Sequence, residues 1–524
     1  MTNRPFGALG NTALVVVLFA AVPLWFVVYK SAELDAGQWQ QLWSSRLPQL
    51  LWNTLSLAVL VAIASFILGV SAAWWIARFD FPGRRYAVWL MVLPLTIPTY
   101  VFAHIYTTLF ETDGWLGQAW TFLLGDSIPV PDIYNIFGVS MVLSLAGFSY
   151  VFLMAHSALS ISTQTLEEAA RIQGAGKWQV FFRINLPLLR PAIAAGLAVV
   201  VLHVLSDFGA VSMLHYQTFT LSIYLQMAGR FDYQAAAGLS LVLVFLSLTF
   251  LVLERFFRAR QRYYTNRQSR RHQLKPVTPF VTTMIWLWLG VITLFSFILP
   301  VIWMTSWSWD AWMQDLINQQ FWGYTINSLT LAVLCATIAI ACGLPIALFN
   351  NRQRSKYSST LIQFSSVGFV LPGPVVALGI LSFILAVLPI LYGGLIALLL
   401  ALVIRFLPLA VQSQDAAMQQ LTPSIEQAGR ILGATPLENL KRVILPMISG
   451  GIASAWVLVF IDTLKELPAT LLLRPTGFDT LPVRIWIEAS EEMLELAAPA
   501  ALMLVIGTLP VLWIMMKNEK KYTL

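Results

Sequence analysis

The stretch Asn53–Ala77, NTLSLAVLVAIASFILGVSAAWWIA, contains no charged residue and is almost entirely apolar. A helix needs about 20 predominantly apolar residues to cross the hydrocarbon core of a membrane, so this stretch is long enough for one crossing. Its apolar residues are continuous, whereas a strand of a membrane β-barrel alternates apolar and polar residues. The stretch therefore predicts a transmembrane α-helix, which satisfies its backbone hydrogen bonds internally.

The composition of the whole chain agrees with this stretch. Of 524 residues, 58% are hydrophobic and 11% are charged, and the mean hydropathy is +0.74. An average soluble protein has about 25% charged residues. A water-soluble core cannot hide so much apolar surface, and the chain is too hydrophobic to be disordered. The composition excludes a soluble domain, a fibrous protein and a nucleic-acid binder, and it predicts an all-α polytopic membrane protein.

Twelve apolar runs are long enough to cross a membrane, so we expect about twelve transmembrane helices. They cover residues 11–29, 53–77, 87–110, 136–158, 191–214, 235–254, 280–304, 325–349, 361–388, 393–412, 449–472 and 496–516. The first run lacks a small-residue cleavage site, so we interpret it as a retained span and not as a signal peptide.

The distribution of Lys and Arg predicts how these spans are oriented. With the N-terminus in the cytoplasm, most of the 32 Lys and Arg residues fall in cytoplasmic segments. The outer loop 111–135 then carries acidic residues and no Lys or Arg. We therefore expect both termini to be cytoplasmic.

A basic, non-apolar segment, Arg255–Lys275, separates two halves of six spans each. We interpret it as a cytoplasmic linker that lies against anionic lipid headgroups. The expected division is residues 1–257 for the first half, 258–279 for the linker and 280–524 for the second half.

The two halves repeat each other in sequence. Asn53–Leu60, NTLSLAVL, matches Asn327–Leu334, NSLTLAVL, at the start of the second span of each half. A second match joins the cytoplasmic loops 163–190 and 421–448, which both follow the fourth span of their half. In these loops EEAARIQG starts at Glu167 and EQAGRILG starts at Glu426. Six spans per half give the repeats the same orientation, so they are parallel repeats about an axis along the membrane normal.

Each repeated loop predicts a short helix at the membrane surface. Carboxylates lie in the first turn, where the helix dipole favours them, and a glycine, Gly174 or Gly433, suits the turn that ends the helix. The small residues Ala169 and Ala170 allow a partner surface to approach closely. We expect these helices to be docking elements.

The first loop resembles the EAA loop of binding-protein-dependent ABC importer permeases. The match comprises Glu168-Ala169-Ala170, Gly174 and Ile184-Asn185-Leu186-Pro187. The second copy departs from this pattern. Gln427, Ala428 and Gly429 occupy its EAA positions, and its carboxylate, Glu426, aligns with Glu167. Which glutamate of each loop contacts the ATPase therefore stays open.

The resemblance covers nearly the whole chain and implies two fused halves, each like a type I ABC importer permease domain. In that family the loop helix inserts into a groove on the ATP-binding subunit and transmits its closure to the membrane helices. The resemblance therefore implies ATPase coupling for ten residues: Glu167, Glu168, Ala169, Ala170, Gly174, Glu426, Gln427, Ala428, Gly429 and Gly433.

The chain has no G-x-x-x-x-G-K-[ST] motif to hold the phosphates of ATP. The resemblance implies that two copies of a separate ABC ATP-binding subunit bind ATP and Mg²⁺, while this chain has no cofactor and is not an enzyme. The resemblance also implies two further partners, a periplasmic or lipid-anchored substrate-binding protein and membrane lipid, and it implies no nucleic-acid partner. The implied location is the bacterial cytoplasmic (inner) membrane.

Charged residues within the spans are candidates for a substrate pathway. Asp207 and Glu466 are related by the same sequence offset as the two loops. This pseudo-symmetric pair either lines a pathway or caps interrupted helices near Gly209 and Pro468. The other candidates are Glu254, Arg405, Asp462 and Lys465, and Arg405 is expected to extend towards the inner membrane surface.

The sequence favours one substrate without excluding others. Leu205–Ser212, LSDFGAVS, and Lys465–Pro475, KELPATLLLRP, resemble the ferric-iron branch of these permeases. Carboxylates suit ferric iron, a hard cation, but no metal site is firmly assigned, because the histidines are scattered and Cys335 and Cys342 lie in one apolar run. A permease for thiamine or another small solute is the alternative. A secondary transporter and a membrane-embedded enzyme are less favoured.

Overall fold

The computed structural model describes residues 8–160, 164–259, 274–353, 355–366, 368, 371–419, 421, 425, 429 and 431–523. These residues are mostly α-helical, as predicted. The described residues contain a single sheet, a parallel pair of two-residue strands, Phe79–Asp80 and Lys275–Pro276.

Among the described residues, eight helices are long and apolar enough to cross a membrane by themselves. They are Leu9–Ala32, Leu47–Arg78, Ile136–Ser160, Phe182–Ser206, Tyr233–Leu253, Pro279–Met313, Gln319–Gln353 and Leu395–Gln419. Two bent pairs, Arg84–Thr96 with Thr99–Leu124 and Leu437–Met447 with Ser449–Leu464, raise the number to ten. The shorter apolar helices Gly373–Val387 and Leu494–Pro510 occupy the remaining two predicted positions. Each of the twelve apolar runs thus contains helix among its described residues, and the last run belongs to one long helix, Leu494–Thr523. The third, ninth and eleventh runs are interrupted.

The third and ninth spans are interrupted by proline. The third span ends its first part at Thr96 and resumes at Thr99, after Pro98. In the ninth span, Pro372 immediately precedes the helix Gly373–Val387. Proline cannot donate the backbone hydrogen bond of a continuing helix, so both runs break where the sequence showed only continuous apolarity.

The predicted fifth and eleventh spans, 191–214 and 449–472, are too long at their ends. The helix Leu186–Ser206 stops before Asp207, and a short helix, Gly209–Met213, follows. The helix Ser449–Leu464 stops in the same way before the short helix Pro468–Leu473. Hydropathy did not show these breaks, because the residues on both sides are apolar.

Three of the four π-helical segments among the described residues precede a Leu-Pro pair. They are Phe181–Asn185, Leu294–Ile298 and Leu440–Ile444. The proline ring clashes with the carbonyl group four residues earlier, and in each case that residue lies in the widened π turn. The first and third of these segments occupy equivalent positions of the two halves, so the repeat includes this distortion.

Shorter elements connect the spans. They are the helices Ala36–Ser45, Trp115–Leu124, Gln164–Ile172, Lys177–Val180, Phe219–Tyr224, Lys356–Ser365, Pro436–Asn439, Leu445–Met447 and Leu481–Ser490, the 3-10 turns Leu93–Thr96 and Pro389–Leu391, and the π segment Leu225–Gly229.

Close helix contacts in the first half depend on glycine. A β-carbon at Gly69 would lie 2.8 Å from Cβ of Val151, and one at Gly196 would lie 2.8 Å from Cα of Val151. The second and fifth spans therefore both approach the fourth span at Val151. Small residues at such crossings let membrane helices pack closely.

The first span of each half packs against the other half. Phe26 in the first span meets Phe383 in the ninth, with ring centroids 5.5 Å apart. In the seventh span, Trp286 Nε1 donates a hydrogen bond to Pro82 O at 3.0 Å, and Trp288 Nε1 donates one to Ser71 Oγ at 3.0 Å. The two halves are therefore interlocked.

Candidate functional site

The first repeated loop forms the predicted helix, Gln164–Ile172. Gly174 has φ +86°. The amide of Ala175 donates to Ala170 O at 3.0 Å, and that of Gly174 donates to Arg171 O at 2.9 Å. This pair of bonds is the Schellman pattern, which requires a left-handed residue. The prediction that glycine ends this helix is confirmed.

The second loop ends with the same geometry. Gly433 has φ +87°, and the amide of Ala434 donates to Gly429 O at 3.1 Å. A β-carbon at Gly429 would lie 2.5 Å from Asn439 Oδ1, which accounts for glycine in place of the alanine of the first loop. Glu426, Gln427 and Ala428 lie outside the described residues.

Both loops place an exposed isoleucine two residues before the left-handed glycine. The exposed fraction is 87% for Ile172 and 85% for Ile431, which occupy equivalent positions of the repeat. The two loops therefore share this exposed apolar position as well as the glycine turn.

Glu167 points into the protein. It is 4% exposed and forms an ion pair with Arg78, the last residue of the second span. The Arg78 guanidinium also donates to Asn185 Oδ1 at 3.1 Å and lies 5.0 Å from the Trp74 ring. Glu167 therefore fixes the loop helix to the second span and the π segment. The helix position of Glu168 is described, but its side chain lies outside the described part.

The end of the linker joins this cluster. Lys275 Nζ lies 3.8 Å from Glu167 Oε2, and Lys275–Pro276 pairs with Phe79–Asp80. Lys275 therefore lies beside a buried carboxylate, and the expectation that the linker lies against lipid headgroups stays a prediction. Residues 260–273 lie outside the described part of the chain.

A cavity of about 220 Å³ lies between the two halves. Its polar lining includes Thr99, Tyr150, His203, Ser206, Asp207, Arg405, Asp462, Lys465 and Glu466. The predicted pathway residues Asp207 and Glu466 both line this cavity.

The same two residues cap the short helices. Asp207 Oδ1 accepts hydrogen bonds from the amides of Ala210 and Val211, at 3.0 and 3.3 Å. Glu466 accepts from the amides of Ala469 and Thr470, both at 3.0 Å. Carboxylates at this position accept hydrogen bonds from amides that a helix N-terminus otherwise leaves unpaired. These contacts are the ones expected if Asp207 and Glu466 cap interrupted helices.

The two caps have different third partners. Thr99 Oγ1 donates to Asp207 Oδ2 at 2.5 Å, whereas Arg405 Nη1 donates to Glu466 Oε1 at 2.9 Å. Gly373 occupies the place equivalent to Thr99, and a β-carbon there would lie 1.9 Å from Arg405 Nη1. Glycine thus makes room for the guanidinium. The expectation that Arg405 extends towards the inner membrane surface is wrong, because its guanidinium pairs with the buried Glu466 carboxylate.

Lys465 joins the two halves at the cavity wall. Its Nζ donates to Leu95 O at 2.9 Å, in the 3-10 turn that precedes the break in the third span. This lysine therefore satisfies a carbonyl group that the broken helix leaves without a helical partner. Glu254 is part of the helix Tyr233–Ala259, but its side chain lies outside the described part.

Sequence reasoning missed Arg78, Thr99 and His203 as site residues. Two of them could have been found from the sequence. Arg78 is the sole charge of an otherwise uncharged span, and His203 is the repeat equivalent of the candidate Asp462. No sequence signal pointed to Thr99. Among the described residues, no group of three or more His, Cys, Asp or Glu side chains is arranged to hold a metal ion. Cys335 and Cys342 are both free thiols.

Two interlocked, repeated halves, a cavity between them and a pair of equivalent surface loops define a membrane permease subunit. The family described as "Binding-protein-dependent transport system inner membrane component" matches residues 65–263 and 339–523. The chain belongs to this family, and the two matched segments confirm the two-half organisation. It is a multi-pass protein of the inner membrane and a transport component.

Relatives carry two different substrate names. The Fe(3+)-transport system permease protein FbpB 2 of Haemophilus influenzae is 28% identical over 97% of each chain. The sulfate transport system permease protein CysT of Escherichia coli is 30% identical over 47% of this chain and 88% of its own length. A crystal structure of a bacterial alginate ABC transporter matches 47% of this chain and 87% of its own chain, with 19% identity and a TM-score of 0.37.

Proposed function

We propose that this chain forms the membrane pathway of an ATP-driven importer for ferric iron. The observation that carries this proposal is the pair of equivalent loops, each with a left-handed glycine, Gly174 or Gly433, and an exposed isoleucine, Ile172 or Ile431. One copy of an ATP-binding subunit docks on each loop. The loops face the cytoplasm, as do both termini.

The Arg78–Glu167 pair supports a mechanical link between docking and transport. A subunit bound to the first loop helix moves that helix, and the buried ion pair connects it to the second span. The second and fifth spans both pack against the fourth span at Val151, and the fifth span ends before Asp207 on the cavity wall. A continuous set of rigid elements therefore joins the loop to the cavity.

Ferric iron is the proposed cargo because a permease named for Fe(3+) transport aligns with 97% of this chain, whereas the sulfate permease aligns with less than half. The carboxylates of the cavity agree with a hard cation. A periplasmic or lipid-anchored binding protein delivers the cargo to the outer face, where the acidic loop 111–135 lies.

Uptake by cells that lack this chain tests the proposal. Cells complemented with the full chain should accumulate ferric iron and should not accumulate thiamine or sulfate above the level of uncomplemented cells. Thiamine or sulfate uptake without iron uptake would contradict the proposed cargo. Iron uptake that persists after the partner ATPase is inactivated would contradict the proposed energy source.

A further inference from the structure

An aromatic contact joins the two halves beside the cavity. Phe208 lines the cavity directly after the cap residue Asp207. Its ring centroid lies 4.8 Å from that of Tyr224, in the same half, and 6.4 Å from that of Trp486, in the other half. Trp486 Nε1 also donates a hydrogen bond to Ser212 Oγ at 3.2 Å. We call Phe208, Tyr224 and Trp486 the aromatic cluster.

The aromatic cluster lies on the side of the cavity that faces away from the docking loops. The helix Leu186–Ser206 runs from the first loop to Asp207, and the chain continues beyond that cap. The helix Phe219–Tyr224 then lies close to the cap, since Thr220 Oγ1 donates to Asp207 O. Its counterpart in the second half is Leu481–Ser490. We call these two the outer helices, because this side is the outer side when the docking loops are cytoplasmic.

The repeated sequence at the start of the second span of each half holds the outer helices. Asn53 Nδ2 donates to Gln217 O at 2.9 Å, and Asn327 Nδ2 donates to Asp479 O at 3.0 Å. In each half the accepting residue immediately precedes the threonine N-cap of the outer helix. The matching asparagines of the repeat therefore make the same anchor in both halves.

The outer helix of the second half has further fixed contacts. Arg484 Nη2 donates to Glu488 Oε1 at 2.7 Å, and the Arg484 guanidinium lies 5.0 Å from the Tyr324 ring centroid. Asp479 forms an ion pair with Arg474, and its carboxylate lies 3.7 Å from Arg484 Nη1. Since Tyr324 belongs to the second span of this half, the outer helix and that span form one rigid unit.

We propose that the aromatic cluster is the outer seal of the cavity, and that Asn53 and Asn327 are positioning residues that carry movements of the second spans to it. In the first half, the Arg78–Glu167 pair joins the docking loop to one end of the second span. Asn53 lies near the other end of the same helix, so a movement of the loop reaches the outer helix. The inference rests on the proposed function, since it takes the docking loops to face the cytoplasm.

Aromatic rings suit a seal that must open repeatedly. Their packing excludes water, and each ring contact is individually weak, so a movement of the second spans separates them at a small cost in free energy. An importer must open its cavity to the outer face while the loaded binding protein is bound. Separation of the two outer helices, one from each half, provides that opening.

The test is the reaction of a cysteine in the cavity with a membrane-impermeant thiol reagent outside right-side-out membrane vesicles. The vesicles contain the permease with its ATPase, and the permease carries Ser206→Cys, at a cavity-lining position, with Cys335→Ala and Cys342→Ala. Adding Trp486→Ala should raise the labelling rate about tenfold, because the ring contacts that keep the seal closed are lost. Trp309→Ala, the same change at a tryptophan that is 62% exposed, is the matched control and should leave the rate unchanged.

The response of the same cysteine to the partners tests the anchors. A non-hydrolysable ATP analogue inside the vesicles, with the loaded binding protein outside, should raise labelling about tenfold in the chain with both asparagines. Asn53→Leu with Asn327→Leu should abolish this rise, since leucine is of similar size but cannot donate a hydrogen bond to the outer helix. ATPase co-purification should stay normal, which separates a lost connection from a lost partner. Asn11→Leu, at an exposed asparagine, is the matched control.

Each outcome bears on the inference. An unchanged labelling rate in Trp486→Ala would overturn the seal, and so would an equal rise in the Trp309→Ala control. If Trp486→Ala does not insert, Trp486→Phe, which keeps a ring but lacks the indole N–H, should raise the rate by a smaller factor, and an unchanged rate there would also overturn the seal. A full response in the double asparagine variant would overturn the anchors. Faster labelling in Trp486→Ala without iron uptake by the wild-type complex would overturn the proposed cargo and leave the seal standing.

Discussion

Arg78 is the only charged residue of the helix Leu47–Arg78, and its guanidinium meets Glu167 and not the lipid. A buried charge without a partner costs several kcal/mol, so the loop helix and the second span depend on each other. The same logic applies to Arg405, which pairs with Glu466 in the cavity. In both cases one charged residue from a span fixes a segment where the regular helix is interrupted.

Replacing Arg78 with Met should destabilise the folded protein by about 3–5 kcal/mol, because the buried Glu167 carboxylate then loses the guanidinium that pairs with it. Adding Glu167→Leu should restore most of this loss, since neither charge is left. Thermal unfolding of the purified chain in detergent measures both. If the double variant is as unstable as Arg78→Met, the pair is not the source of the stability.

Gly174 and Gly433 are predicted to be needed because they adopt a left-handed backbone conformation, and not because a side chain would clash with its neighbours. Nothing lies within 4 Å of a β-carbon built at either position. A left-handed conformation costs other residues about 1–2 kcal/mol, so Gly174→Val with Gly433→Val should weaken co-purification of the ATPase while the amount of inserted permease stays normal.

Gly176→Val is the matched control for this double variant, because Gly176 lies in the same loop, has open space around it and has no positive φ. It should leave ATPase co-purification unchanged. Equal loss in the control and the double variant would show that the conformation of the helix end is not what matters.

At the level of elements, the repeat determines where helices stop. The length of the continuous apolar runs predicted all twelve apolar helical regions, and the common offset between the halves predicted that both loops share one geometry. The breaks at Pro98 and Pro372 were not predicted, because hydropathy averages over a window that a single proline hardly alters. The ends at Asp207 and Glu466 were predicted only as one of two alternatives, since a cap and a pathway residue look alike in sequence.

Contacts between residues far apart in the chain could not be predicted from the sequence. Lys465 reaches Leu95, far away in the other half, and Trp286 reaches Pro82. Neither pair shares a repeat offset, so the repeat offers no guide to them. Both contacts join the two halves.

Asp207→Asn should leave the amount of folded protein nearly unchanged, because Asn caps a helix about as well as Asp. Asp207→Ala should lower the stability by about 0.5–2 kcal/mol, since the amides of Ala210 and Val211 lose their acceptor. Detergent-solubilised protein measured by size-exclusion chromatography after heating distinguishes the two. A larger loss for Asn than for Ala would contradict the capping role.

At the level of the whole molecule, the interlocked first and seventh spans make the two halves one body. Phe26 packs on Phe383, and Trp288 binds Ser71. The covalent linker is therefore not the main connection. Separate expression of residues 1–265 and 266–524 in one cell should give halves that co-purify from the membrane. Recovery of either half alone, when both are present in similar amounts, would show that the contacts between them are too weak.

One permease chain is proposed to offer two equivalent docking loops, and native mass spectrometry of the complex purified with its ATPase counts the copies that bind. We expect two ATPase copies for each copy of this chain in the wild-type complex, and fewer when Gly174→Val and Gly433→Val are combined. A wild-type complex with one ATPase copy per chain, or with none, would show that the two loops are not equivalent docking sites.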